Sequence, residues 1–324
     1  MAILVTGAAG FIGSHVAAAL AARGDKVYGV DALTSYYNLG LKRARVQAVV
    51  APRGVEVAEV DIAKPGALEA YMAGKGVERI VHLAAQPGVR KSFEIPHAYV
   101  DANVHGQVAV MQAARAYDVS HVVYASSSSV YGANEKTPFA IEDRVDAPQS
   151  LYAATKRAAE LISEAYASAF DFMQTGLRFF TVYGPWGRPD MAPWLFTDAI
   201  LEARTIKLFN YGQMRRDFTF IDDIVAGVLG AVDRSEASGG RHALYNLGHN
   251  QPHALLDFVS TLERLLGVRA KVELTPKPIG EVEATWADIS AAQRDLGYDP
   301  KTALEDGLGQ WIDWFRARTE AMRA

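Results

Sequence analysis

The sequence predicts an α/β fold, a doubly wound parallel sheet followed by a smaller mixed α/β C-terminal region. Three observations carry this. A short apolar run, Ile3-Leu4-Val5, opens the chain and ends at Thr6-Gly7, with Gly10 and Gly13 following at even spacing. Apolar runs of strand length then alternate with helical stretches through residue 180. Last, the Pro/Gly-rich stretch Tyr183-Gly184-Pro185-Trp186-Gly187-Arg188-Pro189-Asp190 breaks that alternation and marks passage into a second region.

Ile3-Leu4-Val5 reads as a buried parallel strand, because strands covered on both faces are apolar throughout. Gly7, Gly10 and Gly13 then form a G-x-x-G-x-x-G turn, with Phe11 and Ile12 inside it, opening an Ala-rich helix that Gly24 stops. Lys26 to Val30 is the next strand, and it ends at Asp31. In such a unit the first Gly makes the turn and the second admits a pyrophosphate. The third lets helix and strand approach, and the helix N-terminus faces the phosphates. Asp31 stands where a carboxylate would bind the adenosine ribose and repel a 2′-phosphate, so NAD is expected over NADP. Tyr36 to Val50 reads as a helix with Lys42, Arg43 and Arg45 on a solvated face.

Val55 to Val60 alternates like a strand and ends at Asp61-Ile62. Asp61 either accepts from the adenine amino group, with Ile62 covering the ring, or caps the helix Lys64 to Gly74. Arg79 to Ala85 is the fourth strand; Ala84 and Ala85 leave room at its tip for a cofactor, and His82 reads as a core histidine. Asn103 either caps the helix Val104 to Tyr117 or positions a loop near the nicotinamide ribose. Val108, Met111 and Gln112 on that helix, with the helix after Tyr152, suit a homodimer through a four-helix contact or an intrachain core.

His121 to Ser126 is the fifth strand, and it delivers Ser127, Ser128 and Ser129 to the carboxyl edge, where ligands bind in open α/β sheets. Tyr152 and Lys156 are four residues apart, on one face of a helix. A phenol is a poor base near neutrality, with a reference pKa of about 10, and a nearby ammonium is expected to lower it. Such a Tyr can exchange a proton with a sugar hydroxyl, and a Ser hydroxyl at the strand end can share it. Thr175 to Phe180 is the sixth strand. Further on, Asp222-Asp223 most simply begins a helix, and no metal is expected there.

Composition narrows the class. The chain has 324 residues, half of them apolar, and a net charge of −4, which argues against a general nucleic-acid or membrane binder. It has no cysteine, which excludes disulfides, thiol catalysis and Cys–zinc sites and fits the cytoplasm. No basic stretch precedes the first apolar residues, so they do not read as a signal peptide. No apolar run approaches the roughly 20 residues that span a bilayer.

Taken together, Gly7–Gly13, Ser126–Gly132, Tyr152–Lys156, Phe179–Met191 and Arg215–Phe218 resemble the nucleotide-sugar branch of the extended short-chain dehydrogenase/reductase superfamily, over nearly the whole chain. The resemblance implies a Rossmann-like NAD domain over 1–178, to which 215–242 returns, and a substrate region over 179–214 and 243–324. It implies tightly held NAD, Tyr152 as acid/base, Lys156 as its partner on the nicotinamide ribose, and Ser127 as hydroxyl partner. It also implies a UDP-hexuronate substrate whose C4 is inverted through a 4-keto sugar, UDP-glucuronate giving UDP-galacturonate.

Chemistry separates the branch's activities. The 4,6-dehydratases resemble one another in an Asp-Glu pair where this chain has Ser128 and Ser129, so dehydration is disfavoured. Decarboxylases of the branch carry Glu at the position of Ser129, whereas a hydroxyl there can donate to a substrate carboxylate. Ser128, Ser129, Thr181 and Arg188 are therefore assigned to that carboxylate; alternatively Arg188 pairs with Asp190. Galactose epimerases of the branch tend to carry Asn at the position of Thr181. Arg216 is assigned to the diphosphate. Phe209 lies either against uracil or in the core, and Glu281 is assigned to the nucleotide ribose, one methylene longer than the Asp expected there. A decarboxylase, or another 4-epimerase using the same ketone, remains the alternative. A non-catalytic NAD-sensing protein is disfavoured by the complete Ser127, Tyr152 and Lys156 set.

Overall fold

The computed structural model describes residues 1–277 and 283–323. Twelve strands are present among them: β1 Ala2–Thr6, β2 Lys26–Asp31, β3 Val57–Glu59, β4 Arg79–His82, β5 His121–Ser127, β6 Met173–Phe179, β7 Thr181–Tyr183, β8 Thr205–Leu208, β9 Arg215–Phe220, β10 His242–Leu247, β11 Pro252–Ala254 and β12 Lys271–Leu274. Seven form one parallel sheet in the order β10-β6-β5-β4-β1-β2-β3. The strand order reverses between β1 and β4, and in open α/β sheets that crevice takes the ligand.

Each central strand is apolar throughout because it feeds two cores. Successive side chains point to opposite faces. Thus Ile3, Val5, Val81 and Val123 pack on one side with Val16 and Leu20 of the helix Phe11–Ala22. Leu4, Ile80 and Val122 pack on the other with Val110 and Met111 of the helix Gly106–Ala116. Met111 is thus part of the chain's own core, while Val108 (37% exposed) and Leu161 (54% exposed) face outward.

The expected division at residues 242/243 cuts through a strand. His242–Leu247 is β10, the edge strand beside β6, so the parallel sheet recruits residues assigned to the substrate region. Conversely, Arg215–Phe220, the start of the segment expected to return to the NAD domain, pairs with β7 and β11 in a separate three-stranded sheet. Without β10, β6 would present an unpaired edge, and β10 satisfies its backbone groups. The helix Ile221–Asp233 does return, packing on Phe11–Ala22. Its Asp223 carboxylate accepts from the backbone of Lys301 and Thr302, a structural role.

The basic helix also departs from expectation. It begins at Leu39, where the Asn38 side chain accepts from Gly40 N at 2.7 Å, and Tyr36 and Tyr37 precede it as a loop. Arg43 is exposed, but Lys42 and Arg45 are buried. Both turn inward because polar partners wait there, as the site shows.

Two buried histidines make stability pH-dependent. His82, 2.7 Å from Thr6 Oγ1, and His121, 2.8 Å from Thr175 Oγ1, are each pushed down to about 3 by burial. The unfolded chain takes up these protons near pH 6.5, and the folded chain does not. Stability is therefore full above about pH 6.5 and falls below it, by up to about 1.4 kcal/mol per pH unit for each histidine. The urea midpoint should drop between pH 7 and pH 5, and His121→Gln should flatten the drop. Identical midpoints at both pH values would contradict it.

Candidate active site

A cleft of about 580 Å³ runs along the carboxyl edge of the parallel sheet, from the Gly7–Gly13 turn to Arg216. Gly7 and Gly13 explain the turn. Gly7 has φ +73°, and an added Cβ would lie 2.7 Å from Ala84 N at the tip of β4. Gly13 packs on the turn itself, since its Cβ would lie 2.0 Å from the Gly7 carbonyl oxygen. Asp31 ends β2 beside this turn. Its carboxylate accepts from Ala9 N (3.2 Å) and Leu33 N (2.8 Å) and pairs with Lys42 Nζ at 3.3 Å. Gly10, Phe11, Ile12, Asp61, Ile62, Ala84 and Ala85 line the same half. Asp61 does not cap a helix: it accepts from Ala63 N at 3.1 Å, and the helix begins at Ala67, after Gly66.

Asn103 does not cap a helix either. Helical structure starts seven residues earlier, at Pro96, and Asn103 sits within it. Its amide clasps Gln86, taking Gln86 N at 2.7 Å and donating to Gln86 O at 3.1 Å, and it donates to Thr155 Oγ1 at 3.0 Å. Gln86 lines the cleft and Asn103 stands behind it.

The helix Leu151–Ala169 brings the chemistry. Ser150 caps it, accepting from Ala153 N at 3.1 Å, which fixes Tyr152 in the first turn. Three successive residues of β5 then meet three side chains of this helix. Ala125 O accepts from Lys156 Nζ at 2.9 Å, Ser126 donates to Glu160 at 2.6 Å, and Ser127 acts on Tyr152, whose ionised form it favours. Ser127 also caps the short turn Ser128–Tyr131, accepting from Ser129 N at 3.2 Å. Burial lowers Lys156 to about 8, and Glu160 works against that fall. Tyr152 moves opposite to expectation: burial raises it, and Ser127 and Arg188 only moderate the rise. The ammonium does not offset this, because burial also lowers Lys156, to about 8, so that it loses its charge before the phenol ionises.

Glu160 lies outside the residues that the motifs single out. It is fully buried and forked by Arg178, at 2.8 Å and 3.0 Å, with Arg157 at 2.9 Å. Burial alone would raise its carboxyl, but Arg178 and Ser126 hold it below the ordinary range. A signal for it exists in the sequence: Glu160 follows Lys156 by one turn, and Arg178 is a lone charge in an apolar strand that must find a partner.

On the substrate side, Ser128, Ser129, Thr181, Arg188 and Arg216 all line the cleft with Ser127 and Tyr152. Arg188 forks onto Asp190, through Nε at 3.0 Å and through Nη2, and Asp190 also accepts from Tyr36 at 3.3 Å. The pairing with Asp190 and the cleft-facing position therefore hold together. Arg216 donates to the carbonyls of Arg215 (2.9 Å) and Glu283 (3.2 Å). Phe209 is half-buried and does not line the cleft; the guanidinium of Arg90, which does, lies 5.6 Å from its ring centre. Glu281 lies outside the described residues.

Residues 3–248 match the model of the NAD dependent epimerase/dehydratase family. The chain belongs to that family. UDP-glucuronate 4-epimerase 3 of Arabidopsis thaliana is 48% identical over 327 residues, covering 97% of this chain and 76% of that one. Protein CapI of Staphylococcus aureus is 40% identical, covering 97% and 98%. Among solved structures, the UDP-glucuronic acid 4-epimerase of Bacillus cereus in complex with UDP-glucuronic acid and NAD superposes with a TM-score of 0.89 at 34% identity, covering 98% of this chain and all of that one. The family's cofactor fits what the chain offers: a glycine turn that a Cβ would fill, an acid at the end of β2, and small residues at the tip of β4.

Proposed function

We propose that this member of the family inverts C4 of UDP-glucuronate to give UDP-galacturonate, with no net oxidation. One observation carries the proposal: the Ser127, Tyr152 and Lys156 set and the Ser128, Ser129, Thr181 and Arg188 group line one cleft, next to the glycine turn. A proton-transfer pair and a carboxylate-binding group at one sugar site suit an acidic hexose. The likeness to UDP-glucuronate 4-epimerases supports it.

The Gly7–Gly13 turn and Asp31 would hold NAD, which would supply the hydride acceptor for C4 and, once reduced, the donor. The chain's residues manage everything else. Tyr152 takes the O4 proton as a phenolate, a form that Ser127 and Arg188 favour against burial, and Ser127 shares the proton. Lys156, held by Ala125 O, keeps a positive charge beside that proton. The resulting 4-keto uronate is a β-keto acid, prone to lose CO2 when its C5–C6 bond aligns with the carbonyl. Ser128, Ser129 and Arg188 grip the carboxylate out of that alignment while the ring turns over, and Arg216 holds the diphosphate still. Tyr152 then returns the proton on the other face.

The tie between Arg188 and Asp190 favours one competing reading, a decarboxylase that holds the acid more loosely. NMR of the products from UDP-glucuronate decides between them. Galacturonate with little pentose supports epimerisation, and pentose with equal CO2 overturns it. We read the outward face carrying Val108 and Leu161 as a homodimer contact. Sedimentation at a single-chain mass would refute that.

A further inference from the structure

Arg45 is the most deeply buried cation beside the cleft, with no exposed surface. It shares a helical stripe with buried Leu41, where a charge needs a reason. Its hydrogen bonds go to Trp186 O (2.8 Å), Gly187 O (3.1 Å), Ala9 O (3.4 Å) and the Tyr37 hydroxyl, none of them a carboxylate. Keeping a guanidinium out of water on neutral acceptors alone is costly, so its geometry carries its purpose.

Two of those acceptors are consecutive carbonyls in the turn that presents Arg188. At its centre Trp186 has φ +64°, a left-handed conformation that a bulky side chain holds only under constraint. Packing against Trp314, with ring centres 5.2 Å apart, restrains its side chain. Arg45 restrains its backbone. The third acceptor, Ala9 O, belongs to the glycine turn. One guanidinium therefore ties the substrate-side turn to the cofactor-side turn.

We propose that Arg45 is a positioning residue for recognition of the acidic sugar: it pins the Trp186–Gly187 peptides to the glycine turn, so that Arg188, next in the chain, faces the cleft. This rests on the uronate reading above. The guanidinium fork matters as much as the charge, because an ammonium cannot span two neighbouring carbonyls with fixed geometry.

The test uses Arg45→Gln and Arg45→Lys in the full chain. Hydrogen exchange across residues 184–191 should quicken by about tenfold or more in both, while NAD content stays at the parent level. The KM for UDP-glucuronate should rise by about tenfold with kcat changed far less. In an Arg188→Ala background, Arg45→Gln should add nothing to KM, since its effect passes through Arg188. Unchanged exchange at 184–191 in Arg45→Lys overturns the proposal whatever the turnover, and so does an additive KM effect. A parent protein inert toward UDP-glucuronate would instead sink the uronate reading, and the exchange measurement would still decide whether Arg45 holds the turn.

Discussion

Tyr152→Phe is expected to lower kcat by about 10²–10⁴-fold, the usual contribution of a positioned acid/base, while NAD content and melting temperature stay near the parent values. The selectivity follows from what the hydroxyl touches. Tyr152 lines the cleft, where Ser127 favours the ionised hydroxyl, whereas the ring lies edge-on to Tyr99 at 6.3 Å and keeps that contact as Phe. Lys156 is held by Ala125 O and does not depend on the phenol for its place. Single-turnover kinetics on protein that keeps its cofactor absorbance would measure the loss. A variant within threefold of the parent kcat would remove Tyr152 from the proton transfer and leave Ser127 as the candidate.

Gly13→Ala is expected to be nearly as damaging, by another route. Its methyl would be placed 2.0 Å from the Gly7 carbonyl oxygen and 2.8 Å from the Gly7 carbonyl carbon. Both are backbone atoms of the turn, and no side chain can swing aside. Overpacking in a core costs about 1–3 kcal/mol, and here the cost falls on the cofactor site itself. Cofactor-free protein after purification, with NAD affinity weakened about 100-fold, is the expected result. NAD bound at the parent level would mean the turn can open without loss, and that the close packing does not shape the site.

Tight local motifs are legible in the amino-acid order alone. Gly7, Gly10 and Gly13, Asp31 at a strand end, the serines after His121 to Ser126, and Tyr152 with Lys156 all belong to such motifs. Each is set by a strand end or by one or two helical turns, and short-range geometry fixes how its residues relate. Residues that depart from expectation depend on distant partners. Lys42 and Arg45 read as solvated because nothing near them in sequence is acidic. Their partners are Asp31, 11 residues away, and Trp186 and Gly187, more than 140 residues away. Spacing predicts a Tyr152 lowered by its ammonium neighbour, but burial, which spacing does not reveal, raises it instead.

The sequence by itself determined a parallel α/β sheet, a dinucleotide turn and a Tyr–Lys pair at a strand's carboxyl end, because alternation and spacing are properties of a few neighbouring residues. Only the tertiary structure decided that His242–Leu247 completes the parallel sheet, that Glu160 and Arg178 form a buried pair, and that Arg45 clamps the turn bearing Arg188. Those facts follow from which remote segments share an edge or a dry interior. An open strand edge or a buried charge takes whichever complement the whole chain brings to it.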